Sequence, residues 1–183
     1  MRHPISIAIL SLALAGGTAA AAPAFQVKSA DIQNNQRLHS SQVYQGFGCA
    51  GGNQSPQLEW SEAPAETKSF AVTMYDPDAP TGSGWWHWVV YNIPASVHKL
   101  ASGAGHSGTL PDGARHGRND FGTMEFGGAC PPADDKPHRY IVTVYALKTD
   151  KLGVPADASP AMIGFMLNAN RLATATLTGL YGR

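Results

Sequence analysis

The stretch FAVTMYDPDAPTGSGWWHWVVYNIP, residues 70–94, decides the fold. Its two ends, residues 70–75 and 86–93, are rich in Val, Ile, Tyr, Phe and Trp, and Pro, Gly or Asp bounds them, a pattern typical of β-strands. The prolines between them stiffen the connection, because each proline ring fixes one backbone dihedral. The stretch therefore predicts two strands and a rigid loop that ends close to His87.

A second stretch, GGACPPADDKPHRYIVTVYAL at residues 127–147, also joins a proline loop to a strand-like run. The runs 86–91 and 140–145 are apolar almost throughout, which predicts central strands covered on both faces. A shorter strand is predicted at residues 58–60, and residues 95–126 form a long connection rich in Gly and His. A connection of that length inside a compact domain is usually functional.

The two proline loops each place one imidazole, His87 or His138, at the start of a predicted strand. The carboxylates of Asp76 and Asp78 lie in the first loop, and Trp85 follows it. Histidine donates hydrogen bonds to anions most strongly when it is protonated. Together these residues predict a stiff pocket that binds a small anion.

Only one helix is predicted, near the C-terminus. Ser159 is a good N-cap, Pro160 suits the first turn, and apolar residues follow at helical spacing. Residues 173–179 alternate small apolar residues with threonine, which predicts a closing edge strand. The fold class that follows is mostly β.

Length and charge limit what the pocket can belong to. The chain has 183 residues, enough for one domain with a sizeable core. Its 13 Lys and Arg residues balance 13 Asp and Glu residues, so nothing indicates binding to nucleic acid or to an anionic membrane by bulk charge. Any anion must therefore be held by local contacts.

Residues 1–22 are predicted to be a secretory signal peptide, followed by a single domain at 23–183. Arg2 supplies the positive start, residues 5–14 are apolar, and residues 16–24 are small and rich in alanine. We expect cleavage between Ala20 and Ala24, with an uncleaved membrane anchor as the alternative. The apolar run is too short to span a bilayer. The mature protein is therefore expected to be periplasmic or secreted.

Export bears on the oxidation state of the two cysteines, Cys49 and Cys130. In an oxidising compartment an even number of cysteines favours a disulfide. A bridge of this separation would stabilise the fold by about 4 kcal/mol at most in the chain-entropy model. It would also pin two glycine-rich loops, at residues 46–52 and 127–130.

Four ordered motifs resemble the phosphatidylethanolamine-binding protein family, and within it the bacterial branch of Raf kinase inhibitor-like proteins. The motifs are DPDAP at 76–80, WWHWVVYNIP at 85–94, GRNDFG at 117–122, and PP followed by HRY at 131–140. The resemblance covers the chain from the Cys49 loop to residues 177–181. It implies an antiparallel β-sandwich with a large central sheet and few short helices.

The resemblance also implies a cavity for phosphate, phosphorylethanolamine or a lipid headgroup. Carried over position by position, the ligand-binding residues are Asp76, Asp78, Ala79, Pro80, Trp85, His87, Cys130, His138 and Tyr140. Pro77 and Pro80 are expected to follow cis peptide bonds, as in many family members. Phe126 stands where many relatives have tyrosine, which implies a missing hydroxyl at the rim of the cavity.

The side chains suggest physical roles for these residues. His87 and His138 can donate ring N–H groups to a phosphate oxygen, and Asp76 can fix a histidine tautomer. Tyr140 can donate its hydroxyl, and Trp85 offers an apolar wall or a cation–π surface. Affinity for the anion should then weaken as pH rises through the histidine range. Arg139 is expected to point the other way and to pair with an acid.

Three classes of function follow from the sequence. The leading hypothesis is a non-enzymatic binding protein without a cofactor, which modulates a protein partner. A metal-dependent hydrolase is an alternative, because two histidines and two carboxylates can hold a divalent ion. A secreted protease or kinase inhibitor that acts through its surface loops is another. The sequence assigns neither a physiological ligand nor an oligomeric state.

Overall fold

The computed structural model describes residues 24–106 and 109–183. The predicted signal peptide at 1–22 lies outside this part of the chain. The strands are β1 Gln26–Lys28, β2 Gln36–Arg37, β3 Gln45–Gly46, β4 Cys49–Ala50, β5 Leu58–Ser61, β6 Ser69–Asp76, β7 Trp85–Pro94, β8 Lys99–Leu100, β9 Arg115–His116, β10 His138–Leu147 and β11 Arg171–Tyr181. The helices are the 3₁₀ turn Ser40–Gln42 and the α-helix α1, Pro160–Asn170.

The main sheet has six strands in the order β2-β11-β10-β6-β7-β9. All its pairs are antiparallel except β11 with β2. The three long strands predicted from the apolar runs, β6, β7 and β10, lie side by side at its centre. The end of β6 meets the starts of β7 and β10, so Asp76, Trp85 and His138 lie at the same end of the sheet.

Both faces of these central strands are covered, as their apolar sequences predict. On one face, side chains such as Phe70 and Trp88 pack against the three-stranded sheet β1-β5-β8, which supplies Trp60. On the other face, Leu147 and its neighbours pack against Ile163 and Leu167 of α1. This layered, mostly β architecture confirms the predicted fold class.

The C-terminal helix begins where the sequence predicts. The Ser159 hydroxyl accepts a hydrogen bond from the Met162 amide at 3.2 Å, and Pro160 occupies the first turn. The strand after it, β11, is longer than predicted, and most of its length lies at the edge of the sheet, paired only with β10. The two-residue strand β2 pairs with Gly179 and Leu180 and takes the edge. Because β2 consists of two polar residues, its sequence has no periodic pattern from which a strand could be predicted.

Two loop features bear on the site. Cys49 and Cys130 form the predicted disulfide, with a Cα–Cα distance of 6.0 Å. Phe126, expected at the rim of the cavity, is instead buried in the core, with its ring 5.8 Å from that of Trp88. A hydroxyl at this position would lie in an apolar environment, away from the cavity.

Candidate functional site

A cavity of about 180 Å³ opens where β6 ends and where β7 and β10 begin. It brings together eight of the nine residues predicted to bind a ligand, all but Asp78. Its lining consists of Phe47, Asp76, Ala79, Pro80, Thr81, Trp85, His87, Phe121, Cys130, Pro131, Pro132, His138 and Tyr140. Apart from Asp76 and the two histidines, the wall carries no ionisable side chain except the phenol of Tyr140.

The buried carboxylate of Asp76 shapes the first proline loop. Its Oδ1 accepts hydrogen bonds from the amides of Asp78 at 2.8 Å and Ala79 at 3.1 Å. This side-chain turn tightens the loop without a cis bond. The described residues contain no cis peptide bond, so the prediction for Pro77 and Pro80 is wrong.

The second oxygen of Asp76 orients His138. Asp76 Oδ2 accepts a hydrogen bond from His138 Nδ1 at 2.8 Å, and both side chains are buried. The bond fixes the proton of the neutral ring on Nδ1. His138 Nε2 lies 3.4 Å from Asp135 Oδ2, a carboxylate oxygen that can accept from Nε2–H when both ring nitrogens carry a proton.

His87 reaches the cavity because of a β-bulge. Met74 faces Trp88 across the β6–β7 pair and Tyr75 faces Trp86, which leaves His87 without a partner in β6. Such an extra residue turns the side chains around it, often next to a functional site. The ring of His87 consequently lies 5.1 Å from that of Tyr140 on β10, on the far side of β6.

The buried ring of His87 is held by the second loop. Its Nδ1–H donates to the Gly127 carbonyl at 2.7 Å. Burial lowers the pKa of His87, since the charged form is poorly solvated there. Near neutral pH the ring is therefore uncharged, and its Nε2 carries a lone pair that accepts hydrogen bonds.

Tyr140 presents a hydroxyl without a protein partner. The side chain is fully buried in the lining of the cavity, and its oxygen makes no hydrogen bond within the described structure. Burial raises the pKa of Tyr140, so the phenol keeps its proton and remains a donor. A buried donor without a partner is unfavourable, and a ligand oxygen in the cavity would relieve it.

An aromatic rim surrounds the mouth of the cavity. The ring of Phe121 lies 5.3 Å from Trp85, 4.5 Å from Tyr44 and 6.0 Å from Phe47. Sequence reasoning missed five residues of the lining, namely Phe47, Thr81, Phe121, Pro131 and Pro132. A signal was present for Phe47, because an aromatic residue between glycines in a cysteine loop has no obvious place in a core.

Asp78 lies outside the cavity, which corrects its predicted role. Its carboxylate accepts hydrogen bonds from Arg139 Nε at 2.8 Å, Nη2 at 2.6 Å and the backbone amide at 2.9 Å. The hydrogen bond from the Arg139 side chain lowers the pKa of Asp78 to about 2. Arg139 points away from the cavity and pairs with an acid, as expected from the sequence.

The described residues offer little support for a metal centre. Within 24–106 and 109–183, no three His, Cys, Asp or Glu side chains are arranged to hold a metal ion. The two predicted carboxylates diverge, because Asp76 faces His138 and Asp78 faces Arg139. In the same part of the chain, no helix has the length and hydrophobicity to cross a membrane.

Comparison with known proteins places this geometry in a family. Residues 28–182 match the family model described as phosphatidylethanolamine-binding protein. The chain is 60% identical over 164 residues to UPF0098 protein YbcL of Escherichia coli strain K12, an alignment that covers 88% of this chain and 90% of YbcL. It is 48% identical over 155 residues to YbhB of the same strain, which covers 84% of this chain and 97% of YbhB.

Solved structures agree with these relationships. The crystal structure of E. coli YbcL, described as a new member of the mammalian PEBP family, matches with a TM-score of 0.86 at 57% identity and covers 88% of this chain and 99% of that one. A PEBP homologue from Chlamydia trachomatis matches with a TM-score of 0.73 at 30% identity, covering 87% and 98%. The chain therefore belongs to the phosphatidylethanolamine-binding protein family.

Proposed function

We propose that this protein is a non-enzymatic binding protein whose cavity holds a small anion of the phosphate or phosphorylethanolamine type. One observation carries the proposal: the buried Tyr140 hydroxyl has no partner, yet it lines a cavity shared with His87 and His138. A phosphate oxygen placed among them would accept from Tyr140 and, when the imidazole carries two protons, from His138 Nε2, which it would share with Asp135. A phosphate hydroxyl would donate to the neutral ring of His87.

The size and surroundings of the cavity favour a headgroup-sized ligand. At about 180 Å³ it is smaller than the roughly 300–1,000 Å³ of pockets for drug-sized molecules. Its mostly aromatic and proline walls are poorly polarisable, which strengthens each polar contact inside. Asp76 lines the cavity, but its oxygens already accept three hydrogen bonds from the protein.

The lining supports a receptor better than an enzyme. Cys130 is consumed by the disulfide, and the Thr81 hydroxyl donates to the Gly84 carbonyl. Neither is placed beside a histidine as an activated nucleophile would be. The metal-dependent hydrolase is disfavoured because Asp78 turns away from the cavity.

Two further parts of the proposal concern the setting of the protein. We infer a periplasmic or secreted location from the signal-like residues 1–22, and the disulfide supports it, since such bonds persist in oxidising compartments. A modulatory role toward a kinase or protease stays a prediction, because the cavity has the size of a small ligand and gives no argument for a protein partner.

Calorimetric titration with phosphate and phosphorylethanolamine tests the proposal. The variants are His138→Asn and His87→Asn, in which the amide can still donate to Asp76 or to the Gly127 carbonyl. We expect saturable binding to the wild type and a loss of at least about tenfold in His138→Asn, the value of one hydrogen bond to a charged group. His39→Ala, at an exposed position, is the control and should bind like the wild type.

Two results would contradict the proposal. One is the absence of saturable binding by the oxidised wild-type protein. The other is equal binding by the wild type and both histidine variants, which would place any anion site elsewhere. Repeating the wild-type titration at rising pH tests the expectation from the sequence that anion affinity weakens through the histidine range.

A further inference from the structure

We infer that Phe47 determines the ligand specificity of the cavity by contacting the substituent of a bound phosphate monoester, and that it favours an apolar substituent. The inference rests on the proposed anion site. The Phe47 side chain is 70% exposed, although it lines the cavity and lies 5.4 Å from the ring of Tyr44. An exposed phenyl group at the mouth of a site is available to a ligand rather than to the core.

The backbone holds Phe47 in an unusual conformation. Its φ is 52°, in the left-handed region, between Gly46 at 143° and Gly48 at 80°. Residues other than glycine seldom adopt this conformation, and those that do are concentrated at binding and active sites. The tip of the β3–β4 hairpin thus presents its one large side chain in a defined direction.

Two ties fix this hairpin against the opposite wall of the cavity. The disulfide joins Cys49 to Cys130, next to Pro131. Arg183 donates from Nε to the Pro131 carbonyl at 2.7 Å, from Nη1 to the Gly48 carbonyl at 3.0 Å, and from Nη2 to the Phe47 carbonyl at 3.3 Å. The position of Phe47 is therefore set by covalent and polar ties rather than by burial of its ring.

The chemistry of the mouth indicates which substituent fits. An ester group leaving the cavity meets Phe47, Phe121 and Trp85 and the two prolines of the opposite loop. The ionisable groups of the lining, Asp76, His87 and His138, are buried deeper, and each makes a hydrogen bond within the protein. Aromatic or aliphatic substituents gain from these walls, whereas a strongly hydrated group loses water without a charged partner.

The test compares inorganic phosphate, phenyl phosphate and phosphorylethanolamine by calorimetry. We expect the wild type to bind phenyl phosphate about three- to tenfold more tightly than phosphorylethanolamine, the range of one aromatic contact. Phe47→Ala should remove most of this preference, because the affinity for phenyl phosphate should fall more than the affinity for inorganic phosphate or for phosphorylethanolamine. Phe165→Ala is the matched control, because Phe165 is 71% exposed on α1 and is not part of the cavity lining.

A second variant, Phe47→Gly, controls for the backbone strain that alanine would have at this positive φ. Phe47→Gly removes the ring while suiting the positive φ, so it should lose the same preference without backbone strain. A preference that survives in both variants would overturn the inference, as would an equal loss of affinity for phosphate and for both esters. If the wild type binds no phosphate at all, the proposed anion site itself fails, and the inference falls with it.

Discussion

Strands β6, β7 and β10 have two different ends. At the end away from the cavity, Phe70, Ile93 and Leu147 are apolar and buried, and the Ser69 hydroxyl donates to the Thr149 carbonyl at 2.6 Å. At the cavity end the same strands bury Asp76, His87, His138 and Tyr140. The Ser69 hydroxyl at the first end thus has a protein partner, whereas the Tyr140 hydroxyl at the cavity end has none among the described residues.

This difference distinguishes the residues that stabilise the fold from the residues that are placed to bind a ligand. We call the end away from the cavity the closed end. Its apolar packing follows the general rules that link sequence to structure. At the cavity end those rules are broken by buried ionisable groups and an unpaired hydroxyl. Register shifts occur at both ends, at His87 and beside Phe70 and Leu147. Proteins commonly break local rules at functional sites and are stabilised elsewhere.

The closed end should respond most strongly to loss of packing. Phe70 is buried, with its ring 5.4 Å from Trp60 and 6.1 Å from Phe25. We expect Phe70→Ala to lower the free energy of unfolding by about 3–5 kcal/mol, the usual loss for a buried aromatic residue. Urea denaturation measures this, and the folded variant should bind phosphate as the wild type does. A loss below about 1 kcal/mol, or weakened phosphate binding, would erase the contrast between the two ends.

The disulfide should connect stability and binding. Replacing both Cys49 and Cys130 with serine is expected to lower the free energy of unfolding by about 2–4 kcal/mol, because the bridge closes a long loop over a separation of 81 residues. Since Cys130 lines the cavity, phosphate affinity should fall as well. Chemical reduction of the wild type should reproduce both changes, and unchanged phosphate affinity would show that the bridge serves stability alone.

Acidification should reveal the buried His87. Because burial lowers its pKa, the unfolded chain takes up this proton more readily than the folded protein. The resulting stabilisation is present above the ordinary histidine pKa of about 6.5 and is lost as pH falls from there toward the lowered folded value. Urea denaturation across this range should show the slope, and it should be smaller in His87→Asn. An identical slope in the variant would assign the effect to other groups.

The smallest effect is expected at Asp78, outside the cavity. Its ion pair with Arg139 is partly exposed, with 31% and 54% of the two side chains accessible. Asp78→Asn should therefore cost about 1 kcal/mol or less near neutral pH, and this contribution should fade in the wild type as pH falls from about 4 toward 2. Phosphate binding should not change. A marked loss of phosphate affinity in this variant would contradict the prediction and would show that Asp78 contributes to ligand binding.

The fold was predictable where patterns are periodic. The apolar runs predicted β6, β7 and β10, and Ser159 with Pro160 predicted the start of α1. β2 was not predictable, because two polar residues gain their strand conformation only by pairing with β11. For the same reason, the pairing of β2 with Gly179 and Leu180, on the outer side of β11, was not predictable.

The residue types of the site were predictable from the sequence, but the directions in which some of the side chains point were not. Asp76 and Asp78 are two residues apart in one loop, and only hydrogen bonds formed after folding turn one toward His138 and the other toward Arg139. The bulge that aims His87 depends on the register between β6 and β7, which no local pattern specifies. The resemblance placed Phe126 at the rim, whereas the core contact with Trp88 decides its position.

The Tyr140→Phe variant tests most directly whether the cavity end is organised for a ligand. The account predicts that removing the unpaired hydroxyl leaves the free energy of unfolding unchanged or raises it by about 1 kcal/mol, while phosphate affinity falls about five- to tenfold. Urea denaturation and calorimetry on the same preparation give both values. A destabilised variant that binds phosphate as well as the wild type would contradict the account, because the hydroxyl would then serve the fold rather than the ligand.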